Sequence, residues 1–299
     1  MADYAASMKY TKARLIGNVA GSILHLILIF VFVVISGWGW IGICLATSLG
    51  FVARFAALWF YLSSLQEFNS VTDVSFLSNE TRSNLRYQAN LGIMACLFGV
   101  WGWWAFDIFT LIGSYLSVSV ISAQTIMRSL GLLTYMIPVG FKVACQILIG
   151  QNVGRGNERA IRHYFKMCMY FGIGIGLLQA VLLYVAQELV IHTFTSEINV
   201  IEEMRKCWLM FMTFVIFDTL QGIGASSIAA SQQQKAGAII TAFAYWALGI
   251  PLTLYMVFVK DKGINGLWIG PTTSVLFLTL TYVFMFNSMD WQKIICEAE

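Results

Sequence analysis

The stretch WGWWAFDIFTLIGSY, Trp101–Tyr115, holds one charged residue, Asp107, among aromatic and aliphatic side chains. No other residue from Asn90 to Met127 is charged. About 20 apolar residues suffice for a helix to cross a bilayer, so this stretch predicts a membrane span. An acid within such a span needs a partner, water or a function, because it is costly in lipid.

The composition of the whole chain agrees with a membrane protein. Of 299 residues, 59% are hydrophobic and only 11% are charged, whereas soluble domains carry about 25% charged residues. The net charge of +3 does not favour a nucleic-acid partner. The six cysteines include no CxxC pair, which indicates small core residues and neither a metal site nor a disulfide set. We therefore predict an all-α polytopic membrane protein.

Eight apolar stretches are long enough to span a bilayer. They are predicted at residues 16–36, 41–62, 89–116, 119–148, 165–191, 207–229, 236–258 and 264–287.

Basic residues in the connections and at the ends of the spans are distributed unequally between the two sides. Eleven lie on one side: Lys9, Lys12, Arg14, Arg82, Arg86, Arg155, Arg159, Arg162, Lys166, Lys235 and Lys293. Four lie on the other: Arg205, Lys206, Lys260 and Lys262. Because cytoplasmic loops are enriched in Lys and Arg, both termini are predicted to be cytoplasmic. The glycosylation sequon at Asn79 lies on the same side, so we expect it to be unused.

Two stretches suggest an internal repeat. GWIGICLATSL, Gly39–Leu49, opens the second predicted span, and GINGLWIGPTTSV, Gly263–Val275, opens the eighth. Both have Gly-x-x-Gly followed by Thr-Ser, and they lie six spans apart. A repeated six-helix unit would explain this, since transporters are often built from repeats; chance similarity of glycine-rich entries is the alternative. With a repeat, the second span ends the first unit and four spans would precede those present.

In each of three predicted spans, polar residues lie along one face of the helix. Such faces point toward protein or water and not toward lipid. The third span carries Gly99, Trp103, Asp107, Thr110 and Ser114. The fourth carries Gln124, Arg128, Tyr135 and Lys142, and the sixth Asp218, Gln221, Gly222 and Ala225. At 1.5 Å per residue, Asp107 and Arg128 both lie roughly 14 Å from the turn between their spans. Asp218 is predicted at a similar depth.

This convergence has a functional and a structural interpretation. Acids near the bilayer midplane are typical of proton and ion pathways. Alternatively, Asp107 and Arg128 form a buried pair that only fixes two helices. Asp218, which has no obvious basic neighbour along the sequence, favours the functional interpretation.

Four motifs resemble the multidrug and toxic compound extrusion (MATE) family, in its eukaryotic form. They are GWWAFDIF (Gly102–Phe109), the stretch Ala123–Ala160, the stretch Phe217–Leu252 and INGLWIG (Ile264–Gly270). The resemblance implies that residues 89–299 form the C-terminal six-helix lobe. Residues 1–88 would then be the last two helices of the N-terminal lobe with a cytoplasmic loop, so the chain resembles an N-terminally truncated member.

Members of this family export organic cations or other amphipathic compounds in exchange for H⁺ or Na⁺, so the resemblance implies an antiporter and no enzyme. It implies no cofactor or metal beyond the coupling ion. Two of the acids that the family pattern leads us to expect are replaced, by Gly102 and Arg128, while Asp107 and Asp218 remain. These departures put a strong preference for cations in doubt.

Two acids are predicted to couple protons, Asp218 and Asp107, with Asp218 the easier proton acceptor and Asp107 held ionised by Arg128. The residues predicted to line the cleft are Trp103, Thr110, Gln124, Arg128, Tyr135, Gln221 and Tyr245. The expected partners are a small organic substrate and the lipid bilayer, either of the plasma membrane or of a vacuole. The missing helices or another chain would complete the cleft. The alternative is a non-transporting remnant or assembly protein of the same family.

Overall fold

The computed structural model describes residues 10–65 and 85–298, and this part consists of helices joined by short connections. The helices are α1 (Thr11–Ile29), α2 (Gly39–Ser63), α3 (Leu85–Ser114), α4 (Val118–Val153), α5 (Glu158–Val185), α6 (Gln187–Phe194), α7 (Ile198–Ala230), α8 (Gln234–Ala242), α9 (Ile250–Leu254), α10 (Gly263–Ser288) and α11 (Trp291–Ala298). Three π-helical segments continue α1, α8 and α9: Phe30–Ile35, Phe243–Gly249 and Tyr255–Val259.

The described residues contain eight helices that are long and apolar enough to cross a membrane, as predicted. The bounds differ most at two of them. The fifth span ends at Val185, and the apolar residues after it form the separate helix α6, because the backbone leaves helical geometry at Ala186. The sixth begins at Ile198, nine residues before the apolar run, because the helix continues through the charged residues Glu202–Lys206. Hydropathy detects only the apolar part of a helix.

The chain divides into two compact units, Met1–Arg86 and Tyr87–Glu299. In the first, α1 and α2 form a hairpin. Ala13, Leu58 and Leu62 make its small buried cluster. Gly21 lets the helices approach closely, since a side chain there would meet Arg54 and the backbone oxygen of Gly50. Small residues at such contacts are typical of membrane helices.

The second unit is organised around α7, which packs against α4, α5 and α10. A buried amide joins three of these helices. The Gln179 side chain on α5 donates to the backbone oxygen of Thr134 on α4 (2.8 Å) and accepts from the Thr219 hydroxyl on α7 (3.2 Å). Gly176 lies against the backbone of Ile216, which brings α5 close to α7. These contacts fix the helical turn that contains Asp218.

The two sequence stretches that suggested a repeat have the same backbone geometry. Gly39 and Gly263 each begin a helix with φ of +54°, a value that glycine adopts without steric cost. Each follows a π-helical segment that ends the preceding span. The same backbone hydrogen bond closes both turns, from Trp38 N to Phe32 O and from Lys262 N to Met256 O, each 3.0 Å long. The similarity therefore extends from sequence to hairpin structure.

Candidate functional site

The second unit contains a half-open cavity of about 520 Å³, a size typical of small-molecule sites. Helices α3, α4, α7 and α10 and the span that begins with α8 form its walls. Most of the surface that lines it is apolar, although eleven of the 24 lining residues are charged or polar. The charged and polar lining residues are Thr125, Arg128, Ser129, Tyr135, Lys142, Gln146, Asp218, Gln221, Ser226, Thr241 and Tyr245.

The cavity brings together six of the nine residues predicted for the site: Trp103, Arg128, Tyr135, Asp218, Gln221 and Tyr245. Three lie outside its lining: Asp107, Thr110 and Gln124. Thr110 donates to the backbone oxygen of Phe106 and accepts from Arg128 at 3.5 Å. Gln124 is 2% exposed and buried between helices. The polar face of each helix extends over several helical turns, so only some of its residues reach the cavity.

Asp218 is the one carboxylate among the lining residues, all of which belong to the described part of the chain. It lies within the 33-residue helix α7, well away from both ends. The adjacent Thr219 is fixed by Gln179, and Thr279 of α10 donates to the backbone oxygen of Phe217 at 3.1 Å. The carboxylate is therefore held on a rigid segment in the middle of the helix bundle.

The expectation that Asp218 has no basic neighbour is wrong. Lys142 of α4 lines the same cavity, and its charge interacts with that of Asp218. Lys142 is 7% exposed, and its ammonium lies 3.8 Å from the centre of the Tyr135 ring. Gly222, one turn beyond Asp218, leaves space for the end of this side chain, because a Cβ there would overlap it. The sequence showed Lys142 on the polar face of its helix, but only helix packing brings it to Asp218.

Asp107 and Arg128 form the predicted ion pair, with 2.5 Å between Oδ1 and Nη2. Within the described residues the pair is not buried as predicted, since other helices of the chain leave the side chain of Asp107 60% exposed and that of Arg128 35% exposed. Both residues lie on the polar faces of their helices, but Asp107 is not among the residues that line the cavity. The pair thus lies beside the cavity, with Arg128 alone contributing to its lining.

If this exposed surface faces a water-filled cleft, the pair should contribute little to stability, because water screens exposed ion pairs. Breaking a buried pair costs about 3–5 kcal/mol, whereas exposed pairs contribute about 0.2–1 kcal/mol. In a double-mutant cycle of Asp107→Asn and Arg128→Gln, we expect a coupling energy below about 1 kcal/mol, measured by unfolding in mixed micelles. A coupling of about 3 kcal/mol or more would show that the pair is desolvated in the folded protein.

Aromatic rings form the apolar walls of the cavity. The Phe106 ring contacts those of Phe214 and Tyr245, with centroids 5.7 and 6.1 Å apart. Trp103 meets Tyr135 edge to face at 6.3 Å. Of the three tryptophans at 101, 103 and 104, only Trp103 belongs to the lining. Phe98, Phe106, Phe214 and Trp268 also line the cavity, and no periodicity distinguishes them from ordinary packing residues in the sequence.

The fold and the spans define a multi-pass membrane protein with a cavity between its helices. A family model described as MatE matches residues 95–255, and the chain belongs to this family, as the sequence motifs predicted.

Relatives with similar sequences are multidrug and toxin extrusion proteins. Protein 1 of Danio rerio is 26% identical over 196 residues, covering 66% of this chain and 33% of the relative. Protein 2 of Mus musculus is 27% identical over 197 residues, covering 66% and 34%. The matched region of this chain thus spans about a third of the length of these relatives.

Solved structures show the same fold. The eukaryotic MATE transporter AtDTX14 superposes with a TM-score of 0.90 at 20% identity, covering 98% of this chain and 66% of the other. The Vibrio cholerae MATE transporter VcmN, in its bent form, gives 0.75 at 18% identity, covering 94% and 61%. The predicted fold class is confirmed: the last six spans form a MATE-type lobe.

Proposed function

We propose that the chain acts in a secondary active antiporter, which exports small organic or xenobiotic compounds in exchange for H⁺ or Na⁺. The observation that carries this proposal is the carboxylate of Asp218 in an aromatic cavity midway along a membrane-spanning helix. A protonatable group in the substrate cavity provides coupling, because its charge changes the affinity of that cavity for a ligand. The names of the relatives, multidrug and toxin extrusion proteins, support a small organic substrate.

Within this proposal the lining residues have separate tasks. The rings of Trp103, Phe106 and Tyr245 provide an apolar surface for a flat or amphipathic compound. Gln221, one turn from Asp218, supplies hydrogen-bonding groups. Asp218 binds the coupling ion. Asp107, already paired with Arg128 outside the lining, is the weaker candidate for that role.

Flux into proteoliposomes tests the proposal. The purified chain would be reconstituted with an acidic interior, and uptake of radiolabelled N-methylquinolinium, 2-naphthoate and 1-methylnaphthalene would be followed. We expect at least one probe to accumulate while the proton gradient lasts and to leak out after a protonophore is added. A sodium gradient in place of the proton gradient distinguishes the two ions. Uptake no greater than in protein-free liposomes would favour the non-transporting alternative.

Orientation is a separate proposal, supported by the eleven-to-four distribution of basic residues. A reporter fused after Glu299 and one inserted near Asn79, outside the described residues, should both be cytoplasmic. As a control, a glycosylation acceptor loop inserted at Thr195–Glu197, on the opposite side, should be modified in cells. Glycosylation at Asn79 would contradict the proposed orientation.

A further inference from the structure

Lys142 is an unusual occupant of the cavity. Its side chain is 7% exposed, and its ammonium has no hydrogen-bond partner in the described part of the chain. Buried ammonium groups are costly unless they are paired. Two neighbours compensate the charge without a hydrogen bond: the face of the Tyr135 ring, 3.8 Å away, and the carboxylate of Asp218.

These two neighbours are the groups that would bind an organic cation. A cation within about 6 Å of an aromatic face is attracted by the ring, most strongly where water is excluded. A carboxylate that lines the same cavity adds an opposite charge when it is ionised. The Lys142 ammonium therefore lies where the charged end of a cationic ligand would lie, and Gly222 provides the space for it.

We propose that Lys142 is a tethered internal cation, which occupies the Tyr135–Asp218 position and excludes organic cations from it. The inference rests on the proposed function in taking this cavity as the substrate site. It makes Lys142 a specificity-determining residue, which favours neutral compounds over cations of the same shape.

The charged groups around the position agree with this role. From α4 come Lys142 and Arg128, and from α7 comes Asp218, while Tyr135 and Tyr245 contribute neutral hydroxyls. Arg128 is engaged by Asp107. An incoming cation would find a single acid, Asp218, which already has Lys142 as a cationic neighbour. To bind there, the cation would have to displace Lys142 and leave its ammonium buried without a counter-charge. Removing the lysine charge removes this cost.

Equilibrium binding to the purified full chain in detergent, without any ion gradient, tests the inference. The probes are N-methylquinolinium, a flat monocation, and 1-methylnaphthalene, its neutral analogue of nearly equal shape. The wild type should bind the neutral probe at least as tightly as the cation. Lys142→Met keeps side-chain length without the charge, and it should bind N-methylquinolinium about tenfold more tightly or better. A gain of affinity requires a folded protein, so misfolding cannot imitate it.

Two matched variants serve as controls. Lys142→Arg keeps a cation at the position and should not gain affinity. Lys235→Met makes the same chemical change at an exposed lysine outside the cavity and should leave both affinities unchanged. Binding of 1-methylnaphthalene to Lys142→Met should change by less than about threefold, which shows that the cavity is intact.

The inference is overturned if the wild type prefers the cation tenfold, or if Lys142→Met binds it no more tightly. Failure of the transport proposal has a different signature. Gained cation binding without gradient-driven flux would contradict antiport and leave the internal cation standing. Gradient-driven flux of N-methylquinolinium together with weaker binding by Lys142→Met would support antiport and contradict the internal cation.

Discussion

Asp218→Asn should abolish gradient-driven exchange while leaving the lobe folded. The amide keeps the size of the carboxylate and can still form hydrogen bonds, but it neither ionises nor takes up a proton. Asp218 is the one carboxylate among the described residues that line the cavity, so no second acid of that lining can replace it. We expect uptake by the reconstituted variant to fall to the level of protein-free liposomes. The thermal unfolding midpoint should remain close to that of the wild type.

Asp261→Asn is the matched control for this prediction. It makes the same chemical change in the connection before α10, outside the cavity. Asp261 has a φ of +50°, a conformation that asparagine also tolerates, so the backbone should be undisturbed. Uptake by this variant should equal that of the wild type. Wild-type uptake by Asp218→Asn would refute the proposed coupling role.

The largest effect on folding is expected for Gly270→Val. Gly270 of α10 faces the seventh span, where a Cβ would overlap the Thr253 hydroxyl and lie 2.5 Å from the backbone oxygen of Gly249. The two helices are also joined by the Ser274 hydroxyl, which donates to the Ala244 carbonyl at 2.8 Å. A backbone oxygen cannot move aside as a flexible side chain can. The helices would therefore have to separate, at a cost of roughly 3 kcal/mol or more.

We expect Gly270→Val to lower the unfolding midpoint in detergent by roughly 10 °C, or to prevent recovery of monodisperse protein. Gly174→Val on α5 is the control, since that glycine is also helical but a Cβ added to it would meet no heavy atom within 4 Å. Comparing the two variants cancels the intrinsic effect on stability of replacing glycine by valine in a helix. Equal stability of the two variants would show that the close contact does not limit packing.

Some of the candidate site followed from spacing along single helices. Arg128 and Tyr135 share a face of α4, and Asp218 and Gln221 share a face of α7, because helical periodicity places such residues together. The pairing of Asp107 with Arg128 followed from equal distances to the turn between adjacent spans. The exposure of that pair did not follow, since exposure depends on what the other helices cover.

The sequence by itself determined the membrane setting, the eight spans, the family and the local hairpin geometry, because each depends on short-range patterns of hydropathy, glycine and motif. Tertiary structure alone decided which polar residues share a cavity. It brought Lys142 of α4 to Asp218 of α7, and it left Thr110 and Gln124 outside. The physical reason is that helix packing, set by close contacts such as Gly176 on Ile216, fixes the rotation and depth of one helix against another.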